Sequence, residues 1–446
     1  MVLNGPRMTR RSALVSSAAL GASIILPRYG SAAPGSSRSG LRISGQDDLG
    51  NTQFMNWEAM EGTPTEAAIQ AYIAETGHQV EIIPTPGTGT DYETKVRTML
   101  AGGTVPDVIR TNDDFVRFYS VKNQFSDLKP LIDRDGIDAS KYYEPIWNFT
   151  SQPDGRYTAI SLGNQPRLIY YNIDLFEAAG VPLPPKDWTA EGWTWDDFLE
   201  TAKALTIEGQ QWGALVYDDT GCEQTWAVNN GLADGIYSQD GKTFNLAEPQ
   251  GIEAIQWLAD LTLAHKVQPE RGLVRETNTG NNLFLQGKVG MIFRTQGTMA
   301  YFRNNGINFR FDVAAPPARV DHKTEGSMIC YAIPESAKNK EGGWELLKYL
   351  ISDNGSKVFA DRGDFVPANK AVAEAMALPA DTDPANFGLF ATAMNYNTSV
   401  NFTEYTENAR NVYRPQLDLV WSGESTAEEV LTGVKQEVEE ILSGAF

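Results

Sequence analysis

Polar and aromatic side chains follow the ends of several stretches of the chain that are typical of β-strands. Because the carboxyl ends of strands in an open α/β sheet meet along one edge, we expect these side chains to form a site for a small ligand. Amide, carboxylate, hydroxyl and guanidinium groups supply hydrogen bonds, and an indole ring supplies a flat apolar face. The candidate residues are Trp57, Glu58, Thr111, Asn112, Asp113, Asp114, Asn164, Gln165, Asp218, Trp226, Arg294, Gln296, Gly326, Ser327 and Asp364.

Four of these residues have an equally good structural explanation. Asp113 and Asp114 precede a predicted helix, where either carboxylate could cap the first turn. The Trp226 ring could be ordinary core packing, and Arg294 could be the partner of an internal ion pair. The sequence leaves both interpretations open at each position.

Motifs for the common kinds of bond-cleaving chemistry are missing from the sequence. His78, His265 and His322 form no HExxH pair, and no GxSxG motif occurs. The segment Gly87-Thr88-Gly89 lacks the third glycine of a nucleotide-binding loop. We therefore expect no enzyme activity, no catalytic residue, no cofactor and no bound metal. A secreted glycoside hydrolase or lyase is the alternative, because the spacing of two catalytic carboxylates is spatial and is not visible in a sequence.

Length, charge and cysteine content narrow the class of protein. The chain has 446 residues, more than the ~250–300 residues that one hydrophobic core commonly supports, which favours two lobes. A formal net charge of −20 argues against a nucleic-acid partner or an anionic membrane surface. Cys222 and Cys330 are far apart in the chain, and we favour two buried free thiols over a disulfide.

Residues 1–33 have the pattern of an export signal. Arg10-Arg11 precede a weakly apolar run that is followed by small residues at Ser31 to Ala33. The paired arginines resemble a bacterial twin-arginine signal, and the apolar run is too short for a membrane span. Residues 34–44 form a predicted flexible leader. We expect an exported protein in the periplasm or another extracytoplasmic space, either released or retained by an uncleaved N-terminal segment.

Strands and helices alternate through the remaining chain, which favours an α/β fold with a largely parallel sheet. The apolar runs 157–162 and 168–172 predict two strands. A polar break is predicted between them at Gly163 to Pro166, since proline cannot donate a hydrogen bond in a central ladder. Farther along, Thr194 is the predicted N-cap of a helix, with Asp197 in capping-box position.

Four stretches resemble the extracellular solute-binding proteins of ABC importers, in particular the carbohydrate-binding group related to maltose-binding protein. They are Leu100 to Val108, Tyr170 to Gly180 with Trp195 to Phe198, Phe284 to Met291, and Trp344 to Ile351. Their order across nearly the whole chain after the predicted signal carries the resemblance.

The resemblance implies an α/β fold of the two-lobed type II periplasmic binding proteins, in which each lobe is a mostly parallel sheet with flanking helices. Crossing hinge segments join the lobes. We expect residues 45–163 and 327–367 in the N-terminal lobe, and residues 164–326 and 368–446 in the C-terminal lobe.

The implied function is capture of a sugar or oligosaccharide by hinge closure, followed by delivery to the transmembrane subunits of an ABC permease. Planar hydrogen-bonding groups suit sugar hydroxyls, and aromatic rings suit the apolar face of a pyranose. We expect a monomer that binds no nucleic acid. A binding protein that serves a chemoreceptor would have the same fold and is a further alternative.

Overall fold

The computed structural model of the protein describes residues 49–57, 60–85, 90–363, 365–379 and 382–445, with only the backbone described at residues 90, 91 and 114. The predicted export signal and leader lie outside the described residues. Within these ranges, no helix has both the length and the apolar character that crossing a membrane requires.

The described residues contain ten strands that belong to one sheet. In chain order the strands are β1 (Asn51–Met55), β2 (Gln79–Ile82), β3 (Val108–Thr111), β4 (Ile160–Asn172), β5 (Trp212–Leu215), β6 (Val289–Thr295), β7 (Phe311–Ala314), β8 (Thr324–Ala332), β9 (Val366–Pro367) and β10 (Asn397–Thr398).

Helices surround this sheet. The α-helices of the described residues are α1 (Pro64–Thr76), α2 (Thr90–Gly102), α3 (Asp113–Val121), α4 (Lys129–Arg134), α5 (Glu144–Trp147), α6 (Ile173–Ala179), α7 (Trp195–Leu205), α8 (Cys222–Asn229), α9 (Pro249–Leu263), α10 (Thr279–Leu285), α11 (Thr298–Asn304), α12 (Lys340–Ile351), α13 (Asp353–Arg362), α14 (Lys370–Glu374), α15 (Leu389–Ala393), α16 (Thr406–Ser422) and α17 (Ala427–Leu442). Short 3₁₀ turns occur at Ala139–Lys141, Asn148–Thr150, Asn245–Ala247 and Met394–Tyr396.

The sheet has parallel pairs toward its two ends and antiparallel pairs in the middle. The strand order is β2-β1-β3-β8-β4-β6-β5. The pairs β1–β2, β1–β3 and β5–β6 are parallel, whereas β8 and β4 run antiparallel to their neighbours along this order. Off this order, β7 and β9 pair with β4, and β10 pairs with β8. This is a mixed α/β architecture in which two long central strands connect two groups of parallel strands.

The predicted polar break at 163–166 is wrong, because β4 is one continuous strand of 13 residues. Its first part, up to Pro166, pairs with β8, and from Arg167 onward it pairs with β6 and β7. Pro166 lies where the neighbouring strand changes, and its carbonyl accepts a hydrogen bond from the Gln296 backbone N–H at 3.0 Å. A proline is tolerated there because the ladder changes partner at that point.

Because β8 pairs with β3, β4 pairs with β6, and β4 and β8 pair with each other, the two strands together join the two groups of parallel strands, and the described residues pack as a single unit. Strands shared in this way are physically suited to act as crossing segments between two lobes. The exact lobe boundaries, 163/164, 326/327 and 367/368, stay predictions.

Two local predictions are confirmed. At the start of α7, the Thr194 hydroxyl accepts a hydrogen bond from the Asp197 backbone N–H, and the Asp197 carboxylate accepts one from the Thr194 N–H at 2.8 Å. Cys222 and Cys330 are buried free thiols. Burial raises the pKa of the Cys330 thiol to about 12, so it behaves as a packed apolar group.

Candidate functional site

A cavity of about 450 Å³ lies where β1 and β3 end and where β4 and β8 pass beneath them. Asn56 and Trp57 contribute to its wall just after β1, and Asn112 and Asp113 do so just after β3. Arg410 lines the opposite side from α16. The cavity has the size of a small-molecule site, and its strand residues come from β3, β4 and β8.

Strand alternation accounts for which residues of β4 line the cavity. Gln165 and Arg167 line it together, whereas Asn164 is fully buried and points to the other face of the strand. On β8, Ser327 lines the cavity and Gly326 does not. A Cβ atom on Gly326 would lie 1.9 Å from Asn164 Oδ1, so close packing requires glycine there. Of these predicted residues, Gln165 and Ser327 therefore lie at the cavity.

The loop after β3 decides between the two explanations of Asp113. Asn112 is the N-cap of α3, where its Oδ1 accepts a hydrogen bond from the Phe115 backbone N–H at 2.8 Å. Asp113 is the first helical residue, and its Oδ1 accepts a hydrogen bond from the Met328 backbone N–H at 2.9 Å. Asp113 is therefore not the cap. It joins α3 to β8 and lines the cavity beside Asn112.

Two predicted residues form an internal ion pair, which confirms the structural explanation of Arg294. Its Nη2 lies 2.6 Å from Asp218 Oδ2, and its Nη1 donates to Asp218 Oδ1 at 2.8 Å. Arg294 Nε also donates to Asn281 Oδ1 at 2.7 Å. Burial alone would lower the pKa of Arg294, but the adjacent Asp218 carboxylate raises it. Neither partner lines the cavity, because each satisfies the other in the interior.

Three more predicted residues lie in the interior and do not line the cavity. The Trp226 ring is 1% exposed and meets Phe293 edge-on at a centroid distance of 4.8 Å. It belongs to the core, which is the other explanation that the sequence allowed. Gln296 is fully buried and donates to the Gly363 carbonyl at 2.8 Å. Thr111 is buried in β3 and pairs with Cys330.

Glu58 and Asp364 lie outside the described residues, as does the side chain of Asp114. Their predicted roles stay predictions.

Several cavity residues were missed by the sequence analysis. Arg167 and Glu325 each lie two residues from a predicted residue on the same strand, Gln165 and Ser327, so strand periodicity could have indicated them. Arg410 and Arg414 are one turn apart on α16, more than 200 residues from β4 in the chain. No local pattern connects them with the cavity.

Arg167 is held by two carboxylates in the cavity floor. Its Nε donates to Asp219, its Nη1 donates to Glu325, and its Nη2 donates to Thr220 Oγ1 at 3.1 Å. Burial raises the pKa of Glu325, and the nearby Asp219 charge adds to this effect against the attraction of Arg167. Burial would also raise the pKa of Asp219, but Arg167 and Arg294 outweigh it and hold that pKa below its usual value.

Arg110, on β3, has a different environment. The side chain is 5% exposed and lines the cavity. Its guanidinium carbon lies 5.1 Å from the centroid of the Trp57 ring and 5.4 Å from that of Tyr331. Its Nη1 is buried and has no hydrogen-bond partner. Within the described ranges no carboxylate forms an ion pair with it.

Trp57 is 38% exposed, so its indole remains available at the cavity although Arg110 lies over the ring. Tyr331 donates a hydrogen bond of 3.4 Å to Asn56 Oδ1, which orients that amide beside Trp57. No group of His, Cys, Asp and Glu side chains in the described part of the chain could hold a metal ion. The arrangement combines planar hydrogen-bonding groups, charged groups and an accessible aromatic ring.

The sequence model of one protein family, described as bacterial extracellular solute-binding protein, matches residues 60–357. The chain belongs to this family. Its fold is that of two-lobed periplasmic binding proteins. A binding protein of Listeria monocytogenes, solved in complex with cycloalternan, matches with a TM-score of 0.75 and 20% identity over 88% of this chain and 99% of that chain.

Curated relatives match a smaller share of the chain. A protein of Brucella abortus, named provisionally as a binding protein, is 27% identical over 230 residues, which cover 50% of this chain and 53% of the relative. The sn-glycerol-3-phosphate-binding periplasmic protein of Rhizobium meliloti is 25% identical over 189 residues, 39% of this chain and 40% of the relative. This solute-binding protein thus spans about half, or less, of the length of the curated relatives that it matches.

Proposed function

We propose that this solute-binding protein captures a sugar or oligosaccharide in the cavity and delivers it to the transmembrane subunits of an ABC importer. The observation that carries the proposal is the composition of the cavity wall. Asn112, Gln165 and Ser327 contribute polar side chains to a wall that also contains the accessible Trp57 ring. Sugars need both features, because their hydroxyls form directional hydrogen bonds and their ring faces are apolar.

Ligand exchange in this proposal depends on movement about the shared strands β4 and β8. Two ion pairs support such a closure, since each joins the predicted N-terminal lobe to a residue in or just before the first turn of α16, in the predicted C-terminal lobe. Arg97 lies 3.3 Å from Glu407, and Lys122 lies 3.6 Å from Glu404. The side chains of these pairs are exposed or partly exposed, so the pairs can break and form at small energetic cost. Opening would release the ligand at the permease.

The proposal includes the cellular setting. The family is extracellular by description, which agrees with the predicted export signal at residues 1–33, so we propose a periplasmic or extracytoplasmic monomer without a nucleic-acid partner. The relatives support more than one ligand type, since one is named for sn-glycerol-3-phosphate and one structure holds cycloalternan. We place the ligand of this chain among the sugars because of the Trp57 ring.

A thermal-shift screen of mono- and oligosaccharides tests the proposal. Binding to the folded state raises the melting temperature in a concentration-dependent manner, and chromatography should recover the ligand unchanged. Recovery of a cleaved product would instead support a carbohydrate-active enzyme. The absence of any shift across the sugar panel would contradict the sugar assignment.

A further inference from the structure

Arg110 is a buried cation beside which the described residues place aromatic rings but no paired carboxylate. Burying a charge away from water is costly unless hydrogen bonds or an opposite charge compensate for it. Trp57 and Tyr331 compensate in part through their ring faces. They cannot accept the in-plane N–H groups, and Nη1 lacks an acceptor. Among the described residues, the hydrogen-bonding capacity of the guanidinium is therefore not fully used.

Two other arginines of the cavity, Arg167 and Arg414, differ from Arg110 because each has a carboxylate partner. Arg167 donates to Asp219 and Glu325, and Arg414 lies 2.8 Å from Glu223. The fold thus supplies carboxylates to these cations. At Arg110 two aromatic rings lie near the guanidinium instead, and a ring cannot form the paired N–H···O bonds that a carboxylate forms with a guanidinium.

We propose that the ligand carries an anionic group, a carboxylate or a phosphate, that pairs with Arg110. This inference rests on the proposed function and names the charge of the ligand. A planar guanidinium binds either anion through two parallel N–H···O bonds, and such charge-assisted bonds are about twice as strong as neutral ones. The Trp57 ring adjoins the same guanidinium, so the sugar ring and its anionic substituent would lie side by side.

Calorimetric titration of the full chain with matched neutral and anionic ligands tests the inference. The panel contains hexoses with their uronic acids, the same hexoses with their 6-phosphates, and glycerol with glycerol 3-phosphate. We expect at least one anionic member to bind about 10-fold or more tightly than its neutral counterpart. The carboxylate and phosphate arms show which anion is preferred, and the glycerol arm shows whether a sugar ring is needed.

A variant series links the preference to the residue. Arg110→Gln should lower the affinity for the anionic ligand about 10-fold or more, and change the affinity for the neutral counterpart by less than about 2-fold. Arg110→Lys should recover part of the lost affinity, since lysine restores the positive charge but not the paired N–H donors of a planar guanidinium. Arg310→Gln is the matched control, because Arg310 is an exposed arginine paired with Asp174 and Glu177 outside the cavity.

A thermal melt separates ligand recognition from a structural role. If Arg110 serves the ligand, Arg110→Gln without ligand melts at the wild-type temperature or above it, because an unpaired buried charge has been removed. A lower melting temperature together with equal losses for both ligand types would overturn the inference. Should the variant not fold, the wild-type panel decides alone, and no preference for any anionic member overturns the inference.

The two proposals fail in different ways. If a neutral sugar binds as tightly as its anionic counterparts, the inference is wrong and the sugar-binding function stands. If glycerol 3-phosphate binds while no sugar derivative does, the anionic inference stands and the sugar-binding function is wrong.

Discussion

Arg110 and Arg167 are both buried at the same cavity, yet their surroundings differ in kind. Arg167 donates to two carboxylates and a hydroxyl in the floor. Arg110 lies near the rings of Trp57 and Tyr331, and its Nη1 has no hydrogen-bond partner among the described residues. Internal compensation makes Arg167 part of the framework of the protein. At Arg110 the buried charge is only partly compensated, so the guanidinium can still bind a ligand.

The strongest test of this comparison is the stability of two matched variants. Arg167→Met leaves Asp219 and Glu325 buried without their shared cation, so we expect the free energy of unfolding to fall by about 3–5 kcal/mol. Arg110→Met leaves no carboxylate of the described residues without its ion-pair partner, and we expect the free energy of unfolding to change by less than about 1 kcal/mol. Urea unfolding followed by fluorescence measures both. Equal losses would show that the two arginines have the same structural role.

A second test compares the two candidate tryptophans. Trp226→Ala empties a packed core position next to Phe293, so we expect the protein to lose about 3–5 kcal/mol of stability. Trp57→Ala removes a partly exposed ring, which we expect to cost less than about 1 kcal/mol of stability but roughly 10-fold in sugar affinity. Urea unfolding and calorimetric titration with a ligand from the screen distinguish the two. Unchanged affinity in Trp57→Ala would remove the indole from the site.

The carboxylates around Arg167 predict a pH dependence of stability. Burial raises the folded-state pKa of Glu325 above its unfolded value. The contribution of this group to the free energy of unfolding is therefore complete below the unfolded pKa, near ~4.3, and declines as pH rises through the folded pKa. Glu325→Gln removes this decline. The stability of the variant relative to the wild type should therefore increase with pH above about 4.3. Urea unfolding from acid to neutral pH measures it, and an opposite slope would contradict the assignment.

The smallest expected effect concerns an arginine at the surface. Arg97 lies 3.3 Å from Glu407, and both side chains are exposed. Arg97→Gln should change the free energy of unfolding by less than about 1 kcal/mol, and added salt should reduce the difference. Thermal melts at low and high ionic strength check this expectation. A loss of stability as large as that of Arg167→Met would mean that the Arg97–Glu407 ion pair is essential to the folded structure.

Local sequence signals predicted much of the fold. The Thr194 capping box depends on residues that are neighbours in the chain, and the structure has it as predicted. The same reasoning failed at Pro166, where local rules indicate a break. A change of partner from β8 to β6 makes the proline acceptable within β4. Which strands lie beside a residue is a property of the whole sheet.

The candidate site was only partly predictable, for a similar reason. Strand ends indicated Trp57, Asn112, Asp113, Gln165 and Ser327, all of which line the cavity. The same rule also selected Trp226 and Asp218, which are buried elsewhere. A polar or aromatic residue after a strand has the same appearance in the sequence whether it faces solvent, a ligand or the core.

The sequence by itself determined the family and the α/β class, because helix caps, apolar periodicity and turn residues act over a few positions. Only the tertiary structure decided which arginines are neutralised within the protein. Arg167 meets Glu325 from a strand 158 residues away in the chain, and Arg110 meets Tyr331 from the same distant strand, β8. Charge compensation depends on distances of a few ångströms in space, which separation along the chain does not reveal.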